Sequence, residues 1–386
     1  VRFLSQIILS NVFVSRHKPR VIYNNYTIGV RLNTGIPLVF MYGEGRVALV
    51  PVACWVLSSA GHSVYMERGA GLGSGYSDAD YHNVGVEIVA NKARLFDAAE
   101  LIVKVKQPLE EGLRYLQHKH IVFSFLHLAP QPVLTRQLCN IGLTAIAFES
   151  VVDETGFRPL LAPMSKIAGR LAVIGGAGYL FQNNGGKGIL LGGIDTADSG
   201  KVVVLGAGVA GEHAVEAASS IGADVVVFDL DQSRLDRIAS SYKNCRGVIS
   251  TQQHIADELS DADLVVSAVM VAGRRAPIVI RENMIKSLSA GSVIVDIAID
   301  QGGSVEKIHA TSYEQPVYTY NGVLFQAVPN MPGAVPRTAS QALSSAVLPY
   351  VIELLEKGVD GSRLEAAIAV QNGDVVDPVL REEQGL

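Results

Sequence analysis

Four groups of residues in this 386-residue chain have the types and spacing to do chemistry. The sharpest is Gly206-Ala207-Gly208-Val209-Ala210-Gly211, which follows the apolar run 201–205 and opens an Ala-rich stretch, 212–221. A second apolar run, 224–228, then ends in Asp229. A strand, G-x-G-x-x-G, a helix and an acidic residue about 20 positions on form the dinucleotide fingerprint in its required context. Gly206 permits the tight turn, Gly208 lets the backbone approach a pyrophosphate, and Gly211 lets the helix pack on the strand. The helix N-terminus offers the phosphates free N–H groups and a positive dipole end. Asp229 is expected to accept hydrogen bonds from the adenosine ribose and to repel a 2′-phosphate, which favours NAD over NADP. Arg234 nearby weakens that preference.

The other three groups are apolar runs that finish in ionisable side chains. Residues 101–106 close on Lys104 and Lys106, 121–126 precede His127, and 293–299 precede Asp300. Two lysines two positions apart share one face of a strand. Open α/β sheets bind ligands outside the carboxyl ends of their strands, and a charge ending a buried strand is costly unless it meets a partner or a ligand. Each group also has a plain alternative. Lys104 or Lys106 could snorkel to solvent, His127 could be a hydrogen-bonded core histidine, and Asp300 could cap the next turn. Beside a dinucleotide fingerprint, the three together point to a ligand. The remaining histidines, His118 and His120 among them, fall in polar or loop-like stretches and read as structural or surface residues.

These residues need elements to hold them. Candidate strands lie at 63–66, 101–106, 121–126, 144–149, 201–206, 224–229, 264–268 and 292–299. Many neighbours are separated by about 10–20 helix-compatible residues, the signature of βαβ units. The fold class is therefore α/β, with two Rossmann-like doubly wound domains and an active-site cleft between them. A helix at 165–180 and another at 338–355 mark the two joins. The cofactor domain is thus an insertion over 160–336, and residues 1–159 with 337–386 make up the substrate domain. The glycines at 69–75 precede polar residues and read as a loop, and those at 175–178 read as packing contacts inside a helix.

Composition narrows the function classes. The chain is 48% hydrophobic with mean hydropathy +0.27, which strands buried on both faces explain without a membrane. No stretch reaches the roughly 18 apolar residues of a spanning helix. Residues 3–14 resemble a signal core but are broken by Ser5, Gln6, Ser10 and Asn11, with no small-residue cleavage site, so export is not expected. A net charge of −5 supplies no field for nucleic acid. Cys54, Cys139 and Cys245 are far apart, so neither a disulfide nor a metal site is expected, and a reducing cytoplasm fits.

From about Gly45 to Glu353 the chain resembles the alanine dehydrogenase/NAD(P) transhydrogenase α-subunit family. The matching segments include Arg46-Val-Ala-Leu-Val-Pro51, Val103-Lys-Val-Lys-Gln-Pro108, Phe125-Leu-His-Leu128 and Leu160-Leu-Ala-Pro-Met-Ser165. Gly188-Ile-Leu-Leu-Gly-Gly193, Asp296-Ile-Ala-Ile-Asp-Gln-Gly-Gly303 and Asn330-Met-Pro-Gly-Ala-Val-Pro336 continue the match. The resemblance implies an NAD-dependent dehydrogenase acting on alanine. Arg46 would grip the substrate carboxylate, a bidentate task that suits a guanidinium. Lys106 would contact the pyruvate carbonyl oxygen, His127 would be the general acid/base, and Asp300 would activate water or ammonia. Cofactor contacts would come from Ser165, Gly206, Gly208, Gly211, Asp229, Arg234, Val269 and Met270. Ile297, Ala298, Ile299, Asp300, Val328, Pro329, Asn330 and Met331 would supply the rest. It also implies hydride loss from Cα of alanine, water attack on the iminium, and release of ammonia from a carbinolamine, inside a homo-oligomer, a hexamer. Two departures stand out. Residues 34–42 lack the Lys-Glu-containing loop that precedes the arginine in the family, and Lys166 replaces a glutamate. The rival readings are the NAD-binding component of a proton-translocating transhydrogenase, an enzyme condensing lysine with 2-oxoglutarate, and a non-catalytic NAD-binding protein. His127 together with Asp300 weighs against the first, and residues 296–303 weigh against the second.

Overall fold

A computed structural model describes residues 32–39, 43–270 and 275–386. The interrupted apolar segment 3–14 and the stretch 40–42 lie outside them. Along the chain come β1 (Thr34–Ile36), β2 (Val64–Glu67), β3 (Glu87–Val89), β4 (Leu101–Val103), β5 (Ile121–Ser124) and β6 (Thr144–Ala147). β7 (Lys201–Leu205), β8 (Asp224–Asp229), β9 (Cys245–Ile249), β10 (Leu264–Ser267), β11 (Val293–Asp296), β12 (Val317–Tyr320) and β13 (Val323–Gln326) follow. β14 (Ile368–Gln371) and β15 (Asp374–Val375) come last.

They form two sheets, ordered β15-β14-β6-β5-β4-β1-β2-β3 and β12-β13-β11-β10-β7-β8-β9. The first six strands pair in parallel, as do β7–β11 and β13. Each sheet starts near its middle, runs outward one way, then returns and runs the other way. The reversals fall between β1 and β4 and between β7 and β10, the places where such sheets open a ligand crevice.

The apolar runs dictate this architecture. Val202, Val204, Val225 and Val227 pack on one face of the second sheet while Val203, Leu205, Val226 and Phe228 pack on the other. The first sheet is likewise covered twice, with Leu101, Val103 and Phe123 in one core and Ile102, Val122 and Ala145 in the other. Full burial of each such side chain contributes about 1.5–3 kcal/mol. The Pro336–Lys357 helix returns to the first sheet, placing Leu343, Val347 and Leu354 in its core. The Ala162–Tyr179 helix packs on the second sheet through small residues. A Cβ on Gly176 would lie 2.5 Å from Leu264 Cδ1 and one on Gly175 3.1 Å from Gln326 Oε1, so these two glycines serve close packing, while a Cβ on Gly178 would meet nothing within 4 Å.

The two-sheet α/β expectation is borne out, but element ends differ. β4, β5, β6 and β11 each stop two or three residues before the apolar run does. The chain there leaves the sheet edge and turns, although its side chains stay buried. Lys104 and Lys106 therefore do not share a strand face. Lys104 is buried and donates from Nζ to the Gln107 carbonyl at 3.0 Å, with Lys92 and Glu67 acting on its charge. Lys106 turns instead toward Arg46 and Asp300. Two hairpins were not anticipated. Asn321-Gly322 joins β12 to β13 and Asn372-Gly373 joins β14 to β15, all four residues at positive φ, the turn that Asn-Gly favours. No helix among the described residues is long and apolar enough to cross a membrane.

Candidate active site

The cofactor side is the carboxyl edge of the second sheet. Gly206 leaves β7 at φ +96, where a Cβ would press on the Ala268 carbonyl oxygen at 2.9 Å. A Cβ on Gly211 would lie 1.7 Å from the Gly206 carbonyl oxygen, so only glycine lets the Val209–Ser220 helix sit so close to its strand. Nothing lies within 4 Å of a Cβ built on Gly208, and no side chain caps this helix. The result is an open cradle with free backbone donors beneath it, a fit for a pyrophosphate. Asp229 ends β8 and accepts from Ala207 N at 2.7 Å and Asp231 N at 3.0 Å, fixing the shape of the glycine turn. Arg234 lies 3.4 Å from Asp231 and 3.9 Å from Asp229.

The remaining expected cofactor contacts share this edge because their strands run parallel. Val269 and Met270 follow β10. Ile297, Ala298, Ile299 and Asp300 form a short 3-10 helix after β11, and Val328, Pro329, Asn330 and Met331 follow β13. Ser165 stands in the first turn of the Ala162–Tyr179 helix.

The substrate side is the carboxyl edge of the first sheet. Arg46 is almost fully buried, yet its guanidinium does not offer a free fork. Glu44 takes the Nε edge at 2.7 Å and also pairs with Nη2, which donates further to Asn330 Oδ1 at 2.6 Å. Nη1 meets Met164 Sδ at 3.2 Å. The chain itself supplies the Glu44 carboxylate from two residues upstream. Burial alone would raise the Glu44 carboxyl, but the hydrogen bonds and charge of Arg46 hold it below the usual value.

Asn330 joins the two edges. It sits in the left-handed region at φ +57, and its backbone N–H donates to both Asp300 oxygens at 3.2 Å. Its side-chain amide donates to Glu44 at 3.1 Å while its oxygen accepts from Arg46. Asp300 is therefore held by a neighbouring loop and does not cap its own helix, a task that falls to Asp296. Lys106 completes this group. Burial first, then the Arg46 charge, lowers its ammonium below the usual value, against the opposing pull of Asp300, Glu44 and Glu149.

His127 stands at φ +45, a strained conformation for a histidine, with its ring half exposed. Glu149 accounts for it. Its carboxylate accepts the Leu126 N–H at 3.2 Å and the His127 N–H at 2.6 Å, and lies 3.8 Å from Nδ1. The His127 ring stacks on Phe125, parallel to within 4° at 5.8 Å between centroids. The core-histidine alternative belongs to His120, which is fully buried and bonded to Gln117 N and the Phe96 carbonyl.

Arg46 and Asp300 are thus linked through Asn330, His127 is held by Glu149, and Lys106 feels the charges of Arg46, Asp300, Glu44 and Glu149. Such a cluster can bind a small anion, polarise an oxygen and move protons. Sequence reasoning missed Glu44 and Glu149 as partners. The one available signal for Glu44 was an acid two residues before a buried arginine. Glu149, 22 residues from His127, closes the apolar run 144–149 and so carried the same signal as Lys106 and Asp300.

The chain matches two family models, described as "Alanine dehydrogenase/PNT, N-terminal domain" over residues 36–168 and "Alanine dehydrogenase/PNT, C-terminal domain" over 172–378. It is 42% identical to an alanine dehydrogenase of Bacillus subtilis over 358 residues, covering 91% of this chain and 94% of that protein. It is also 42% identical to one of Methanococcus maripaludis over 333 residues, 86% of this chain and 89% of the relative. Among solved structures, an L-alanine dehydrogenase superposes with TM-score 0.87 at 42% identity, covering 91% of this chain and 99% of that one. A transhydrogenase from Sinorhizobium meliloti superposes with TM-score 0.79 at 26% identity, covering 89% and 99%.

Proposed function

The chain belongs to the alanine dehydrogenase/PNT family, and from that premise we propose that it catalyses the NAD-dependent oxidative deamination of L-alanine and its reverse. Alanine, water and NAD+ give pyruvate, ammonium, NADH and a proton. The observation that carries the reading is the hydrogen-bonded link from Arg46 through Asn330 to Asp300, with Lys106 in electrostatic reach of both and of Glu149, the acid that holds His127, beside a glycine cradle.

Gly206, Gly208, Gly211 and Asp229 would hold the dinucleotide, with Asp229 favouring NAD over NADP by charge. The cofactor supplies the hydride acceptor. Arg46 presents its Nη1 end to the substrate carboxylate, held in place by Glu44. Lys106 contacts the carbonyl oxygen, and its ammonium stabilises the negative charge that builds there. His127, aimed by Glu149, moves the proton of the substrate oxygen. Asp300, tied to Asn330, orients water or ammonia at Cα and takes its proton. Closure of the two edges excludes water from the transfer. The same reading divides the chain into a substrate domain, 1–159 with 337–386, and a cofactor domain, 160–336. It also carries a cytoplasmic homohexamer, which light scattering and cell fractionation would test.

Purified protein should consume NADH with pyruvate plus ammonium, and NADPH far less. His127→Ala and Asp300→Asn should each lose about 10²–10⁴-fold in rate while still binding NADH. NADH binding with no oxo-acid turnover would favour a transhydrogenase-type component instead.

A further inference from the structure

The proposed reaction leaves one fully buried acid of the second sheet unused. Asp296 ends β11 at 0% exposure. Its Oδ1 accepts the Ala298 N–H at 2.8 Å and its Oδ2 the Ser304 N–H at 2.7 Å. The Ser304 hydroxyl lies 3.3 Å from both oxygens and also bonds Ser267, the last residue of β10. Burial raises the Asp296 carboxyl above its usual value even against these donors. A buried acid is costly unless its geometry does something.

What it encloses is the proposed site. The ring closed from 296 to 304 contains the five-residue 3-10 helix Ile297–Gln301, which carries Asp300. A 3-10 segment of that length holds itself poorly. The chain returns over Gly302 and Gly303, both at positive φ, and a Cβ on Gly303 would approach Asp296 Oδ2 to 3.2 Å. Asn330 restrains the Asp300 carboxylate through its backbone N–H. The backbone beneath it is fixed from Asp296.

We infer that Asp296 is a positioning residue for the reaction: clamped by Ala298 and by Ser304, which Ser267 holds in turn, it sets where Asp300 and the Ile297, Ala298 and Ile299 backbone meet the substrate and the cofactor. This rests on the role proposed for Asp300.

Asp296→Asn is isosteric, but an amide can accept at only one of its two ends. Its NH2 must face either the Ala298 or the Ser304 N–H, and the turn must move to separate them. A shift near 1 Å at a reacting centre can lower a rate about 100-fold, so kcat for pyruvate amination should fall by about that factor. In an Asp300→Asn background the same substitution should add little, because the group it acts through is gone. Ser304→Ala removes one hydroxyl and keeps both backbone donors, which guards against simple misfolding. It should lower kcat about 10-fold with an unchanged melting temperature and a shifted pH profile. Full multiplicative losses in the Asp300→Asn background would overturn the inference, as would wild-type kcat in both variants. Full activity of Asp300→Asn alone would instead overturn the role of Asp300, and this inference with it.

Discussion

The two carboxyl edges that face each other are built by different means. The cofactor edge is shaped by backbone. Gly206 and Gly211 stand where a Cβ would strike a carbonyl oxygen, and Asp229 ties down the turn from its own strand end. The substrate edge is shaped by side chains that recruit partners from elsewhere. Glu44 and Asn330 aim Arg46, and Glu149 aims His127 across 22 residues. A backbone-made site needs particular residue types at fixed spacing. A side-chain-made site needs only that the fold bring a partner within reach.

If the substrate edge depends on partners, removing one should do the most harm. Glu44→Gln leaves a buried guanidinium without its counter-charge, which should destabilise the protein by about 3–5 kcal/mol. The KM for pyruvate should rise about 10-fold at nearly constant kcat, since binding is lost without loss of chemistry. Urea unfolding and steady-state kinetics would measure both, and an unchanged stability would break the contrast between the edges.

The backbone edge offers a paired test of intermediate size. Gly211→Ala must push the helix off β7, and overpacking of that kind costs about 1–3 kcal/mol, so both the melting temperature and NADH affinity should fall. Gly208→Ala meets no protein atom within 4 Å. It should keep the wild-type melting temperature yet bind NADH about 10–100-fold more weakly. Equal NADH affinity in Gly208→Ala would place the pyrophosphate elsewhere.

The smallest effect lies behind the substrate edge, at Lys104. Burial first, then the Lys92 charge, lowers its ammonium to about 8. Above that pH the unfolded chain, with an ordinary lysine, binds more protons than the folded one. Folding stability therefore rises with pH from about 8 toward the unfolded value near 10.4 and is reduced below that window. Between pH 7.5 and 9.5 the gain attributable to Lys104 should be about 1–2 kcal/mol. Lys104→Met should remove that slope, as read from urea unfolding at the two pH values.

Much of the molecule was legible beforehand. Apolar runs located four strands of each sheet, β2 and β4–β6 in the first and β7, β8, β10 and β11 in the second, and the glycine fingerprint located the dinucleotide edge. Arg46, Lys106, His127 and Asp300 were all named from the residues or the family resemblance. Two hairpins were also written in the chain, as Asn321-Gly322 and Asn372-Gly373, but short flanking runs hid them. Strand ends were read too far because Leu126 and Phe148 remain buried after pairing stops, and apolar character reports burial and not hydrogen bonding.

By itself the sequence determined the fold class and the cofactor edge, because glycine spacing and apolar periodicity act over a few residues and the chain carries them directly. Tertiary structure alone decided which acid holds which base: Glu44 on Arg46, Glu149 on His127, Asn330 between Arg46 and Asp300. Those pairings depend on separations of up to 284 residues and on burial that strengthens a charge contact. Neither exists until the two sheets have formed and their edges meet.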